Sequence, residues 1–147
     1  MAIPAQAGSL DLVPVVNGGL RRALAAAGLG SVAVIHLIDT PGKFEETPYL
    51  GVLFVVLIVA SLGVAELLVR RGSALAWAGG ALLAGGTAVG YAISRTAGLP
   101  GAPSDDIGNW GEPLGLASLL VEGIVVWLCL NGLREAQSNS RPVASDR

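Results

Sequence analysis

Long apolar blocks separated by short charged clusters set the pattern of this chain. Four such blocks stand out, at residues 20–39, 49–70, 73–94 and 114–134. Each comes close to the ~20 apolar residues that a helix needs to cross the hydrocarbon of a bilayer. The first block, ALAAAGLGSVAVIHLI, is short unless Leu20, Arg21 and Arg22 extend it. It follows a segment of mixed polarity and shows no small-x-small cleavage pattern, so it reads as a retained span rather than a signal peptide. The second block closes at Arg70 and Arg71, the third has no charge, and the fourth is interrupted only by Glu122. The pattern predicts an all-α membrane protein, four transmembrane helices in an antiparallel bundle with both termini on one side. Residues 40–48 and 95–113 are read as loops, and Arg71-Gly72 as a tight hairpin turn between the second and third spans. Residues 1–19, with two prolines and a Gly pair, form an interfacial or disordered segment on this reading. Residues 135–147 form a polar disordered tail.

Composition sharpens the assignment. Of 147 residues, 52% are hydrophobic and only 14% charged, against about 25% charged in a typical soluble domain. A net charge of −2 gives no reason to expect nucleic acid as a partner. Eight arginines against one lysine, with abundant Ala and Gly, fit a bacterial source of high GC content. Arg21, Arg22, Arg70, Arg71, Arg134, Arg141 and Arg147 fall on one side of the four spans, and only Lys43 and Arg95 on the other. The positive-inside rule then puts both termini in the cytoplasm of a bacterial plasma membrane, with the acidic loops outside. The single cysteine, Cys129, excludes an internal disulfide and reads as a small apolar filler.

Polar residues inside the spans are the candidate chemistry. Glu66 stands one turn before Arg70, in the orientation that favours an ion pair. Glu122 lies about 12 Å into the fourth span at 1.5 Å per residue. A charge at such depth costs roughly 2.5–3.5 kcal/mol, so the side chain is expected to face the bundle interior and find a partner. Ser118 is one turn away on the same face, and Thr87, Tyr91 and Arg95 make a polar stripe on the third span. On the first span His36 and Asp39 share a face. These seven residues, His36, Asp39, Thr87, Tyr91, Arg95, Ser118 and Glu122, form a candidate polar cluster in the outer half of the bundle. The cluster is either a hydrogen-bond network that fixes helix register or a ligand or ion site. No cofactor is predicted. A metal at His36, Glu45 and Glu46 is a further reading, without His-x-x-His or Cys-x-x-Cys spacing to support it. One histidine cannot build a two-His haem site.

Two features bear on partners. The third span carries Gly86-xxx-Gly90 and Ala81-xxx-Gly85, spacings that let another backbone approach closely. They serve packing within the bundle, or contact with a second copy or a membrane-complex partner. The 95–113 loop is longer than the 2–8 residues that usually join adjacent helices. Within it, Trp110 is placed to anchor at the interface, Glu112 to favour the helix N-terminus, and Pro113 to occupy the first helical turn. The loop is read either as packing on the bundle or as a lid.

The strings HLIDTPGKFEETPYLGVLF, YAISRTAGLPG and WGEPLGLASLLVEG resemble a group of small four-span actinobacterial membrane proteins over about residues 33–127. The resemblance implies the four-span topology and brings no activity with it. Members often carry a second histidine near the position held here by Lys43, so on that resemblance Lys43 replaces a potential ligand. The first functional expectation is a non-enzymatic accessory or binding protein with an acidic extracytoplasmic surface. The second is a small oligomeric transporter or proton-coupled component using Glu122. The third is a metal-dependent membrane enzyme using His36 and the acidic loops.

Overall fold

Asn17 starts the first helix by accepting a hydrogen bond from the Leu20 amide at 2.7 Å, which satisfies one of the unpaired N–H groups of the first turn. The computed structural model describes residues 17–139. Four long helices occupy most of it: α1 (Gly18–Glu46), α2 (Pro48–Arg70), α3 (Ala74–Thr96) and α4 (Pro113–Asn139), with one 3-10 turn at Ser104–Asp106. All four are long and apolar enough to span a membrane. The protein is a multi-pass membrane protein built as an all-α four-helix bundle.

α1 begins at Gly18, inside the predicted 1–19 segment, and α3 runs on to Thr96, but two boundaries differ more from the expectation. The predicted loop at 40–48 is helical up to Glu46, and one residue, Thr47, joins α1 to α2. Pro41 removes one backbone donor without ending the helix; such prolines are tolerated in membrane helices. The added turns are held by the Phe44 ring over Gly51 of α2 and by Lys43 paired with Glu46 at 2.8 Å. Pro48 opens α2 at a position where its missing N–H is harmless. At the other end α4 continues through residues 135–139, the first part of the predicted disordered tail. Glu135 pairs with Arg21 of α1, and Ala136 packs against the core, so this last turn is fastened to the bundle. The remainder of that tail, 140–147, and residues 1–16 of the predicted N-terminal segment lie outside the described residues.

The helices form a ring in the order α1, α2, α3, α4. The α1–α2 and α3–α4 pairs pack most extensively, α1–α4 less so and α2–α3 least among the neighbours. The α2–α3 hairpin turns at Gly72, whose φ of +55° suits a residue without a Cβ. The Ser73 side chain caps α3 at the Ala76 amide.

The apolar core occupies only one half of the bundle. Ala25, Leu29, Leu68, Ala76, Trp77, Ala84, Val125, Leu128 and Cys129 interlock at the end that carries the chain termini. Gly80 and Gly132 make room there, the first for the Cys129 sulfur and the second for the Trp77 ring. α2 and α3 meet near this end, through Val64 against Gly79 and Gly80, and separate toward the other.

Candidate functional site

Where α2 and α3 part, the bundle holds a cavity of about 630 Å³ that is open on one side. Its walls are chiefly apolar: Leu50, Leu53, Phe54 and Leu57 from α2 face Leu82, Leu83, Gly86 and Gly90 from α3. All seven members of the predicted polar cluster line it, together with Glu112. The size suits a drug-like molecule or a short amphiphile.

Glu122 is fully buried in this wall. Ser118 Oγ donates to Glu122 Oε1 at 2.7 Å, while Oε2 has no hydrogen-bond partner among the described residues. His36 of α1 lines the same cavity. Its Nδ1 lies 2.9 Å from the Val32 carbonyl, an acceptor only, so Nδ1 carries the proton there. The ring meets Phe54 edge to face at 4.8 Å. Thr40 is buried beside it and donates to the His36 carbonyl at 2.6 Å.

Thr87 and Tyr91 reach the same cavity without bonding Glu122. Thr87 Oγ1 donates to Leu83 O of its own helix at 2.7 Å. The Tyr91 ring lies against Gly115 of α4, where a Cβ would overlap it, and the buried Tyr91 hydroxyl has no partner. Gly115 is seven residues before Glu122, about 10 Å along the helix. The wall therefore carries unpaired oxygens at two levels.

Arg95 closes the top. Only 6% exposed, it pairs with both Asp106 and Glu112 and lies 4.8 Å from the centre of the Tyr91 ring. The long loop is thereby folded over the bundle rather than left as a tether. Gly108, at φ +83°, donates its amide to the Arg95 carbonyl at 2.8 Å. Trp110 stacks edge to face on Tyr91 at 6.1 Å. From α2, the Tyr49 hydroxyl donates to the Pro100 carbonyl at 2.6 Å. Asp106, Tyr49 and Phe54 are not set apart by the sequence: Asp106 is one of several acidic residues between the third and fourth blocks, and the two aromatics fall within the second apolar block.

Above this folded loop lies a second, more polar basin of about 370 Å³, lined by Asp39, Lys43, Glu46, Asp105, Asp106 and Glu112 among others. Asp39, Lys43, Asp106 and Glu112 line both spaces. Glu45 is exposed and lines neither, and Glu46 stands ten residues along α1 from His36. The His36, Glu45 and Glu46 set considered for a metal is thus not brought together. Among the described residues no group of three or more His, Cys, Asp or Glu side chains is arranged to hold a metal ion.

The Gly-rich face of α3 divides in two. Gly80 and Gly85 face α4, whereas a Cβ on Gly86 or Gly90 would meet open space. Outside the cavity, Glu66 pairs with Arg70 on the surface of α2. Comparison with protein-family models, curated proteins and solved structures found no match.

Proposed function

We propose that the protein is a small non-enzymatic binding protein of a bacterial plasma membrane, and that the α2–α3 cavity receives an amphipathic molecule beneath a loop facing outward. One observation carries this reading: a fully buried carboxyl in a mostly apolar cavity, with one oxygen bonded to Ser118 and the other unpaired. Buried polar atoms almost always have partners, and an unpaired one costs about 1–3 kcal/mol. A carboxyl serving only to fix helix register would have both oxygens engaged with protein. Binding is favoured over catalysis because the serine and threonine hydroxyls near the cavity are committed. Thr40, Thr87 and Ser94 donate to carbonyls of their own helix and Ser118 to Glu122, which leaves no hydroxyl on His36.

The test is native mass spectrometry of the full chain extracted gently from its own membrane, compared with Gly86→Phe. The phenyl group would enter the cavity from a position with open space beside it. A stoichiometric adduct on the wild type that is missing from Gly86→Phe is the expected result. Identical spectra for the two proteins would overturn the reading.

A second reading, transport, is favoured by one feature: the four residues shared between the cavity and the outer basin give a polar route past the lid. On that reading Glu122→Gln abolishes coupled flux in proteoliposomes and leaves folding intact. Unchanged flux would dismiss it.

A further inference from the structure

We propose that the molecule received by this cavity is a lipophilic amine, entering from the bilayer between α2 and α3 and seating its ammonium group on Glu122; this rests on the binding reading above. Three sets of observations support it.

The route comes first. Leu53 and Leu82 line the cavity yet are 54% and 75% exposed. They stand on the flanks of α2 and α3, at the side that faces hydrocarbon. The loop end is covered instead, by Arg95 with its two carboxylates and by the Tyr49–Pro100 bond. The wide mouth opens on lipid, so the ligand is one that partitions into lipid.

Charge selects the head group. Four carboxyl side chains line the cavity, Asp39, Asp106, Glu112 and Glu122, against two permanent cations, Lys43 and Arg95. Arg95 is engaged by Asp106 and Glu112, and Lys43 by Glu46 at the rim. Among the described residues Glu122 has no basic side chain in ion-pair contact, and its unpaired oxygen, buried at the cavity wall, is an acceptor that an N–H donor completes once the side chain turns inward. A carboxylate or phosphate ligand would add negative charge to this excess.

Hydrogen-bonding capacity agrees. An ammonium has donors and no acceptor. The buried unpaired atoms of the cavity residues are Glu122 Oε2, the Tyr91 hydroxyl and Arg95 Nε. The last two belong to neighbouring side chains at the loop end, which leaves Glu122 Oε2 as the acceptor at the seat, while His36, with Nδ1 committed, offers Nε2 as a lone pair in the neutral ring. Acceptors at the seat and apolar side chains along the mouth match an amine with a hydrocarbon body. Ion pairs that form in a dry site are stronger than in water, so the ammonium adds selectivity that a hydroxyl head cannot.

The experiment measures equilibrium binding of radiolabelled dodecylamine, dodecanol and dodecanoate to the full chain in phosphatidylcholine nanodiscs, with empty discs subtracted. Dodecylamine is expected to saturate at one per chain and to lose saturable binding in Gly86→Phe. Glu122→Gln keeps an acceptor for Ser118 and nearly the same volume. It is expected to weaken dodecylamine about tenfold or more, the size of a charge-assisted hydrogen bond, and to leave dodecanol unchanged. Each variant's thermal transition in the same discs verifies that it is folded. Equal affinity for amine and alcohol, preference for dodecanoate, or indifference of dodecylamine to Glu122→Gln would overturn the amine assignment and leave the cavity's binding role standing. No saturable binding of any of the three, or binding untouched by Gly86→Phe, would overturn both.

Discussion

Ser118 and Glu122 are two residues on one turn whose hydrogen bond never leaves α4, so it cannot by itself hold one helix to another. That separates local support from function. Ser118→Ala leaves the carboxyl with both oxygens unpaired and should cost about 1 kcal/mol, near the typical value for polar pairs in membrane bundles. Unfolding by dodecyl sulfate in mixed micelles would read this, and an unchanged midpoint would show that the Ser118 hydroxyl contributes nothing. Arg95 acts differently, because it joins a helix to a loop. Arg95→Gln removes the guanidinium from two partly buried carboxylates and releases the lid. Amide exchange at Gly108 should speed up more than tenfold, while exchange at Leu128 and Cys129, deep in the opposite half, should stay within about twofold; local opening of this kind is distinct from global unfolding. Equal acceleration at both places would mean that the ion-paired triad supports the whole bundle.

At the scale of the helices, the glycines divide into two kinds. A Cβ at Gly132 would fall 2.5 Å from the Trp77 ring, and one at Gly86 would meet nothing. Gly132→Ala should therefore destabilise by about 1–3 kcal/mol through overpacking, whereas Gly86→Ala should be neutral or stabilising by up to about 1 kcal/mol through helix propensity. Thermal transitions of the two variants would order them, and a destabilised Gly86→Ala would mean that the α3 face is covered. The identical spacing of Gly86-xxx-Gly90 and Ala81-xxx-Gly85 did not reveal this difference, since it depends on which way α3 is turned. The four spans were legible because length and hydropathy alone decide whether a segment suits hydrocarbon. The 40–48 segment misread as a loop because Pro41, Gly42 and charges are local breaker signals. Phe44 on Gly51 and the one-residue link at Thr47 outweigh them, and both are tertiary. Helical periodicity placed the polar cluster on inward faces of three helices. The cavity between them was invisible in the sequence, because it arises from the separation of α2 and α3.

The whole molecule has two unlike halves, a close-packed apolar core toward the termini and a cavity with a salt-bridged lid at the loop end. What the cavity can meet depends on how the bundle sits in the membrane. Among the described residues Arg21, Arg22, Arg70, Arg71 and Arg134 lie at the core end, and Lys43 and Arg95 at the lid end, where both are paired with carboxylates. The positive-inside rule weighs basic residues near the span ends, which predicts the lid outside the cell and the core end inside. Cys129 is fully buried, so the native chain serves as a blank for thiol labelling. Asp105→Cys places a thiol on the exposed part of the lid, and Ser138→Cys places one on the exposed last turn of α4. In intact cells a membrane-impermeant maleimide should label the first and not the second, with both reacting once the membrane is permeabilised. The reverse pattern would turn the lid and its acidic basin toward the cytoplasm, and reaction of both in intact cells would mean two orientations coexist. The lateral mouth between Leu53 and Leu82 lies within the bilayer in either case. Orientation therefore decides which compartment the acidic basin samples, while a lipid-dissolved ligand keeps its path to Glu122.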